Sequence, residues 1–244
     1  MRNFILLTAM ALVSTSVFAD VVKQSSSGIC HDSNSSYYSR IKKSVDFESM
    51  TQCLENGGTP YKGYSYSGSE KKEAPSNGLI PKYERDMYPH WKDVDGDCQN
   101  SRHEALIAQS VSAVDFKTGK QCNVLSGVWN DPYSGKRFYN PGDLDADHVV
   151  PLKWVHEHGG YLLSDKLKEA IANDPANIIV VDKSLNRQKG AKPPMEWLPP
   201  NEPYQCQYVL RFERIVKKYG LRMSQNEAIE FSKVKNNVCS KVML

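Results

Sequence analysis

The best-organised hydrophobic and polar patterns lie in the second half of the chain. Residues 101–114, with apolar Ala105, Leu106, Ile107, Ala108 and Val111, predict a helix whose N-cap is Asn100 or Ser101. Residues 124–129 alternate weakly and predict a strand. Asp131-Pro132-Tyr133-Ser134-Gly135 is turn chemistry, and 136–139 returns as a short strand. Residues 147–152 predict a short strand stopped by Pro151, and 162–172 a helix. The β-branched run Ile178, Ile179, Val180 and Val181 predicts a strand over 177–181. A short helix over 183–189 follows, ended by Gly190. Pro193, Pro194, Pro199 and Pro200 then bar regular structure. Residues 204–219 predict a helix closed by Gly220, and Ser224 with Glu227 forms a capping box for a last helix reaching Val238. Around 147–190 the order is strand, long loop, strand, short helix. Such a small irregular unit can bring distant polar residues together.

The start of the chain has a different character. Arg2, the apolar run 4–13 and Val17-Phe18-Ala19 have the layout of an export signal, expected to be cleaved near Ala19. No later stretch is apolar enough to span a bilayer, so the mature chain is expected to be soluble, with no membrane partner. Residues 20–77, rich in Ser, Tyr, Gly and Lys, are expected to be an extension and linker, with 71–77 as the boundary. Residues 78–244 are left as the main domain.

Export changes the meaning of the six cysteines, because it leads to an oxidising compartment. They fall into local couples, so Cys30–Cys53, Cys98–Cys122 and Cys206–Cys239 is the natural pairing among many. A zinc cluster is disfavoured: there is no C-x-x-C, and no histidine at ligand spacing from a cysteine. The net charge of +3 is only mildly basic and does not by itself demand a nucleic-acid partner. Phosphate-cradling glycine loops and a G-x-S-x-G elbow are absent from the sequence.

Candidate chemistry centres on Asp147-His148. A carboxylate suits a hard divalent cation, and a neutral imidazole suits a general base near pH 7. Neighbours on a strand point to opposite faces, so the two can serve one site only at a strand end or turn. Asn186 offers an amide oxygen, and Lys189, one helical turn on, can reach a phosphate or pair with the helix dipole. Arg102 is open to two readings, a phosphate contact or a salt bridge to Asp95, Asp97 or Glu104. His156 and His158 fall in the long loop. Arg211, Arg214, Lys217 and Lys218 form a basic helix stripe that suits either a nucleic-acid backbone or solvent.

Taken together, D-H-V-V-P-L at 147–152, N-D-P-A-N at 173–177 and N-R-Q-K-G at 186–190 resemble the HNH endonuclease superfamily. The likeness is greatest to secreted bacterial HNH proteins grouped with the GmrSD-type nuclease domain. It runs from about Tyr83 to Cys239 and takes in D-G-D-C-Q-N-S-R at 95–102 and E-W-L-P-P at 196–200. The resemblance implies an α+β fold, a ββα-metal core embedded in a mostly helical, disulfide-stapled domain. It implies His148 as general base, Asp147 and Asn186 as metal ligands, Asn177 as the residue that steadies the loop, and Lys189 on phosphate. An oxygen-only ligand pair favours one Mg²⁺, with Mn²⁺ or Ca²⁺ as substitutes and Zn²⁺ less suited. The expectation is a metal-dependent, largely sequence-nonspecific endonuclease, secreted or periplasmic, with DNA favoured over RNA. The alternatives are the same site acting on RNA, or a catalytically silent nucleic-acid-binding module.

Overall fold

The computed structural model describes residues 21–48, 50–56, 58–62, 64 and 80–240. The leader read at 1–19 and the boundary read at 71–77 lie outside the described residues. The chain divides into two compact units, one ending at Tyr64 and one beginning at Ser65.

The first unit is more regular than its composition predicts. Strand β1 (Val22–Gln24) pairs antiparallel with β2 (Ile29–His31) and β3 (Val45–Phe47), helix α1 (Met50–Glu55) follows, and β4 (Thr59–Pro60) runs parallel to β2. Strands of two or three residues are too short to show a period-two pattern in sequence. The Cys30–Cys53 bond joins β2 to α1 in the unit's interior. A side chain at Gly58 would collide with that disulfide, so only glycine fits there.

The second unit mixes helices and short strands. Asn100 caps α2 (Ser101–Gln109) by accepting from the His103 N–H. The helix stops short of residue 114 because Ser110 turns away: its hydroxyl donates to the Val128 carbonyl at 3.1 Å. Two hairpins follow, β5 (Asp115–Phe116) with β6 (Val124–Ser126), and β7 (Trp129–Asn130) with β8 (Arg137–Phe138). The single strand read over 124–129 is thus split at Gly127, where a side chain would strike the Trp129 indole.

The central element pair is β9 (Leu144–His148) and β10 (Ile178–Asp182), antiparallel with Asp147 opposite Ile179 and His148 opposite Ile178. The connection between them contains two helices, α3 (Leu152–Glu157) and α4 (Asp165–Asn173, capped by Ser164). The helix expected over 162–172 is α4, whereas the loop expected before it is corrected by α3. Pro151 opens α3 at φ −61°, and under two turns of helix give too little periodicity to detect. Helix α5 (Lys183–Lys189) starts directly from β10, with the Asp182 carboxylate accepting from the Ser184 and Leu185 N–H groups. Long helices α6 (Glu202–Lys218) and α7 (Gln225–Ser240) complete the unit and are joined by Cys206–Cys239.

Alternation along β9 and β10 gives the hairpin two unlike faces. Leu144, Ile178 and Val180 pack with Ala105 and Leu106 of α2, Val124 and Trp129. Burying one such aliphatic side chain contributes about 1.5–3 kcal/mol, so this face anchors the hairpin. Asp145 and Asp147 lie on the other face, where they meet α5. Among the described residues no helix is long and apolar enough to cross a membrane.

The capping box at α7 is reciprocal: Ser224 N–H donates to Glu227 at 2.8 Å, and Glu227 N–H donates to the Ser224 hydroxyl at 3.3 Å. His158 also lies 2.8 Å from the Glu227 carboxylate. Desolvation pulls the Glu227 pKa upward, but the bonds from Ser224 and His158 prevail and hold it at about 2. A carboxylate with a depressed folded pKa stabilises above its unfolded value and loses that contribution as pH falls through the folded one. Glu227→Gln is therefore expected to lower Tm at pH 6, with the difference from the parent fading between about pH 4.5 and pH 2. Thermal unfolding across that range, followed by circular dichroism, checks it.

Candidate active site

His148 is the last residue of β9, and its ring lies inside the fold. Its Nε2 is 2.7 Å from the Ala172 carbonyl oxygen. A carbonyl can only accept, so Nε2 carries the proton and the neutral ring keeps its lone pair on Nδ1. Among the described residues no hydrogen bond occupies Nδ1. Trp91 stacks on the ring with centroids 5.3 Å apart and planes 21° apart. Burial, only partly offset by the Ala172 bond, lowers the imidazole pKa to about 3. The ring is thus held neutral, in one tautomer and one orientation.

Asp147 points to the opposite side of the strand. Its carboxylate is buried and accepts from the Tyr133 hydroxyl at 2.7 Å. Lys189 Nζ lies 2.9 Å from both carboxylate oxygens and donates to the His148 carbonyl at 2.8 Å. Burial pushes the Asp147 carboxyl up and the Lys189 ammonium down, and each charge holds the other's shift in check. This corrects the phosphate role read for Lys189. Its side chain is 0% exposed, and its ammonium is committed to Asp147 and the β9 backbone. Sequence reasoning missed Tyr133, although an aromatic in the middle of a turn of Asp, Pro, Ser and Gly was a signal of burial.

Asn177 acts on the backbone beyond His148. Its Oδ1 accepts from Val150 N–H at 2.8 Å, its Nδ2 donates to the Val150 and Ile171 carbonyls, and its own carbonyl accepts from Val149 N–H. The side chain therefore clamps the turn after β9 to the end of α4. Asn186 Nδ2 donates to Asp145 at 3.1 Å, which fixes the amide orientation and leaves Oδ1 without a protein partner among the described residues. The sequence had not marked Asp145.

A cavity of about 410 Å³ has Asp147, His148 and Asn186 in its wall. Strand ends allow this convergence, since Asp147 and His148 approach the cavity from opposite sides of β9. Asp147 and Asn186 offer oxygen atoms only, and a carboxylate has about four lone-pair sites, more than Lys189 and Tyr133 use. The donor set thus fits a hard divalent cation. A second acidic group, Asp93, Asp95 and Asp97, is exposed, and its carboxylates accept from the N–H groups of Gly96, Cys98 and Gln99.

Other predicted residues lie elsewhere. Arg102 donates from Nη2 to the Pro141 and Leu144 carbonyls at 3.2 and 3.4 Å, so it braces the entry to β9, and among the described residues it forms no ion pair with Asp95, Asp97 or Glu104. The Cys98–Cys122 bond ties the approach to α2 to the segment before β6. His156 and His158 belong to α3 and its C-cap. His156 is buried between the Tyr88 hydroxyl and the Pro81 carbonyl, and His158 stacks on Trp154 at 3.7 Å. Three members of the α6 stripe are taken up inside the chain: Arg211 by the carbonyls of Pro175, Ala176 and Ile178, Lys217 by Glu213, and Lys218 by Asp174. Instead, the cations at the cavity are Arg85, Lys153 and Arg187, beside Tyr83.

Residues 100–234, more than half of the chain, match the family described as GmrSD restriction endonucleases, C-terminal domain. The chain is also 30% identical over 159 residues to a protein of Arthroderma benhamiae described as an uncharacterized secreted protein, covering 64% of this chain and 74% of that one. No solved structure matches it.

The Asp147–Lys189 pair yields a direct expectation. Lys189→Met leaves a buried carboxylate without its cation and is expected to destabilise by about 3–5 kcal/mol. Asp147→Asn combined with Lys189→Met removes both charges, leaves Tyr133 an acceptor, and should recover most of the loss. Urea denaturation of the parent and the variants measures this coupling.

Proposed function

Because the chain belongs to the GmrSD restriction endonuclease C-terminal domain family, we propose that it is an exported, metal-dependent endonuclease with His148 as general base. Membership implies endonuclease activity and a nucleic-acid substrate. The observation that carries the finer reading is the state of His148. Its Nε2 proton is committed to Ala172, which leaves the Nδ1 lone pair to take a proton, and His148 shares the wall of one cavity with Asp147 and Asn186.

Hydrolysis of a phosphodiester needs an aligned water, a base, and charge stabilisation at the phosphate. His148 Nδ1 takes the proton of the attacking water as the water oxygen bonds to phosphorus and the bond to the 3′ oxygen breaks, leaving a 5′-phosphate and a 3′-hydroxyl that draws its proton from solvent. The Ala172 carbonyl then stabilises the imidazolium, and stacking on Trp91 prevents the ring from swinging away. Asn177 keeps the following turn, and hence the end of β9, in place. Asp147 and Asn186 would hold a divalent cation, whose contribution is Lewis-acid stabilisation of charge on the scissile phosphate. The oxygen donors favour Mg²⁺. Arg85, Lys153 and Arg187 meet phosphates, which carry no sequence information, so cutting is largely nonspecific. The family description names restriction endonucleases, which act on DNA, so DNA is placed ahead of RNA. Support for export comes from the leader-like start, the three disulfides and the secreted relative.

Purified protein should nick supercoiled plasmid with Mg²⁺ or Mn²⁺ and stop on addition of EDTA. His148→Ala is expected to reduce the rate by at least about 100-fold while leaving the fold intact. Full metal-dependent nicking by His148→Ala would sink the assignment. Parallel digests of RNA decide the substrate, and binding without any cutting would favour a silent module.

A further inference from the structure

Residues 81–92 contain one 3-10 turn, Arg85–Met87, and are otherwise irregular. They are nonetheless held firmly. His156 Nε2 bonds the Pro81 carbonyl at 2.8 Å, and the fully buried Tyr88 sets its hydroxyl 3.3 Å from His156 Nδ1. Asn173 clamps the other end, donating to the Pro89 carbonyl at 2.7 Å and accepting from Lys92 N–H at 2.9 Å. Trp91 has φ +57°, a region bulky side chains rarely adopt, and in that conformation its ring covers His148. Backbone strain held in place beside a reactive group is a mark of a functional segment.

Two side chains of this segment face the cavity without being anchors of it, Tyr83 and Arg85. Tyr83 is half-buried, with its ring edge-on to His156 at 5.7 Å, so its orientation is set before any ligand arrives. Arg85 is exposed; its Nε donates to His90 at 3.2 Å and its guanidinium also bonds the Tyr83 hydroxyl, so the two side chains stand at the cavity as a pair. Among the described residues no carboxylate pairs with it. Lys153, weakly paired with Glu157 at 3.6 Å, and Arg187 add two more cations. Among the described residues Asp147 is the one acid in the cavity wall, and Lys189 already compensates it. A cationic mouth with a fixed aromatic ring matches a polyanion that also carries flat bases.

We propose that Tyr83 and Arg85 form a subsite for the nucleotide next to the scissile phosphate, Arg85 on its phosphate and Tyr83 against its base. Both residues precede the family-matched stretch at 100–234. The proposal rests on the phosphodiesterase reading of the His148 cavity, yet binding can be measured without turnover.

The test is fluorescence anisotropy of a labelled single-stranded DNA oligonucleotide with the parent protein and its variants, all in EDTA. Tyr83→Ala and Arg85→Gln are each expected to weaken binding by about tenfold. Tyr83→Phe retains the ring and loses only the hydroxyl contact to Arg85, so it should bind closer to the parent than Tyr83→Ala does. Arg85→Gln should also flatten the dependence of log affinity on log salt by roughly 0.7, whereas Tyr83→Ala should leave that slope alone. Parent-like affinity in both variants overturns the subsite. So does a loss in Arg85→Gln with no change in slope, or a loss in Tyr83→Phe equal to that in Tyr83→Ala. Thermal unfolding checks that each variant folds, and Arg85→Lys, which keeps the charge, should preserve the slope if Arg85→Gln misfolds. A parent that binds but never cuts would refute the enzymatic reading and leave this result standing.

Discussion

An ammonium group that no water reaches has to be met by the protein from every side. Lys189 is met by the Asp147 carboxylate and the His148 carbonyl, and that requirement fixes where α5 can lie against β9. A seven-residue helix has little stability of its own and no long packing face. Its position comes instead from its two ends, Asp182 capping the first turn and Lys189 reaching down from the last. Asn186, between them, is thereby delivered to Asp145. A buried ion pair is seldom a large source of net stability, because desolvation offsets the attraction. Its value here is geometric: a shifted helix would strand a charge.

The hairpin separates two jobs that would conflict on one surface. Its α2-facing side is apolar and supplies cohesion, while its α5-facing side carries Asp145 and Asp147. His148 escapes this division by standing at the strand end, where Asn177 and the Ala172 carbonyl take over from sheet pairing. Segment 81–92 then closes the open side of the imidazole. Residues far apart in sequence therefore control three distinct properties of one ring: its tautomer, its tilt and its access to water.

Much of this was readable in the chain where the signal is local. The Asn100 cap, the Ser224–Glu227 box and the β-branched run before α5 depend on neighbours within a turn or two, and each has its counterpart in the structure. The order of Asp147, His148, Asn177 and Asn186 was visible for the same reason. What was not visible depends on burial. A lysine at the end of a short helix has the same letters whether it faces solvent or the core, so Lys189 was read outward. Arg102 and Arg211 likewise turned out to serve carbonyl groups, which leave no trace in a side-chain pattern. Tyr133 and Trp91 sit in segments whose composition reads as loop, and only the tertiary fold shows what they touch.

The disulfides have a consequence for how the chain reaches this state. Each bond joins cysteines that are consecutive in sequence, with separations of 23, 24 and 33 residues. A thiol oxidase that acts on a chain emerging N-terminus first meets the cysteines in that same order. Joining each newcomer to the one unpaired thiol already present would yield the native connectivity directly, with no reshuffling by an isomerase. Neither β9, β10 nor α5 contains a cysteine, so the ββα hairpin carrying the candidate base could assemble independently of that oxidation.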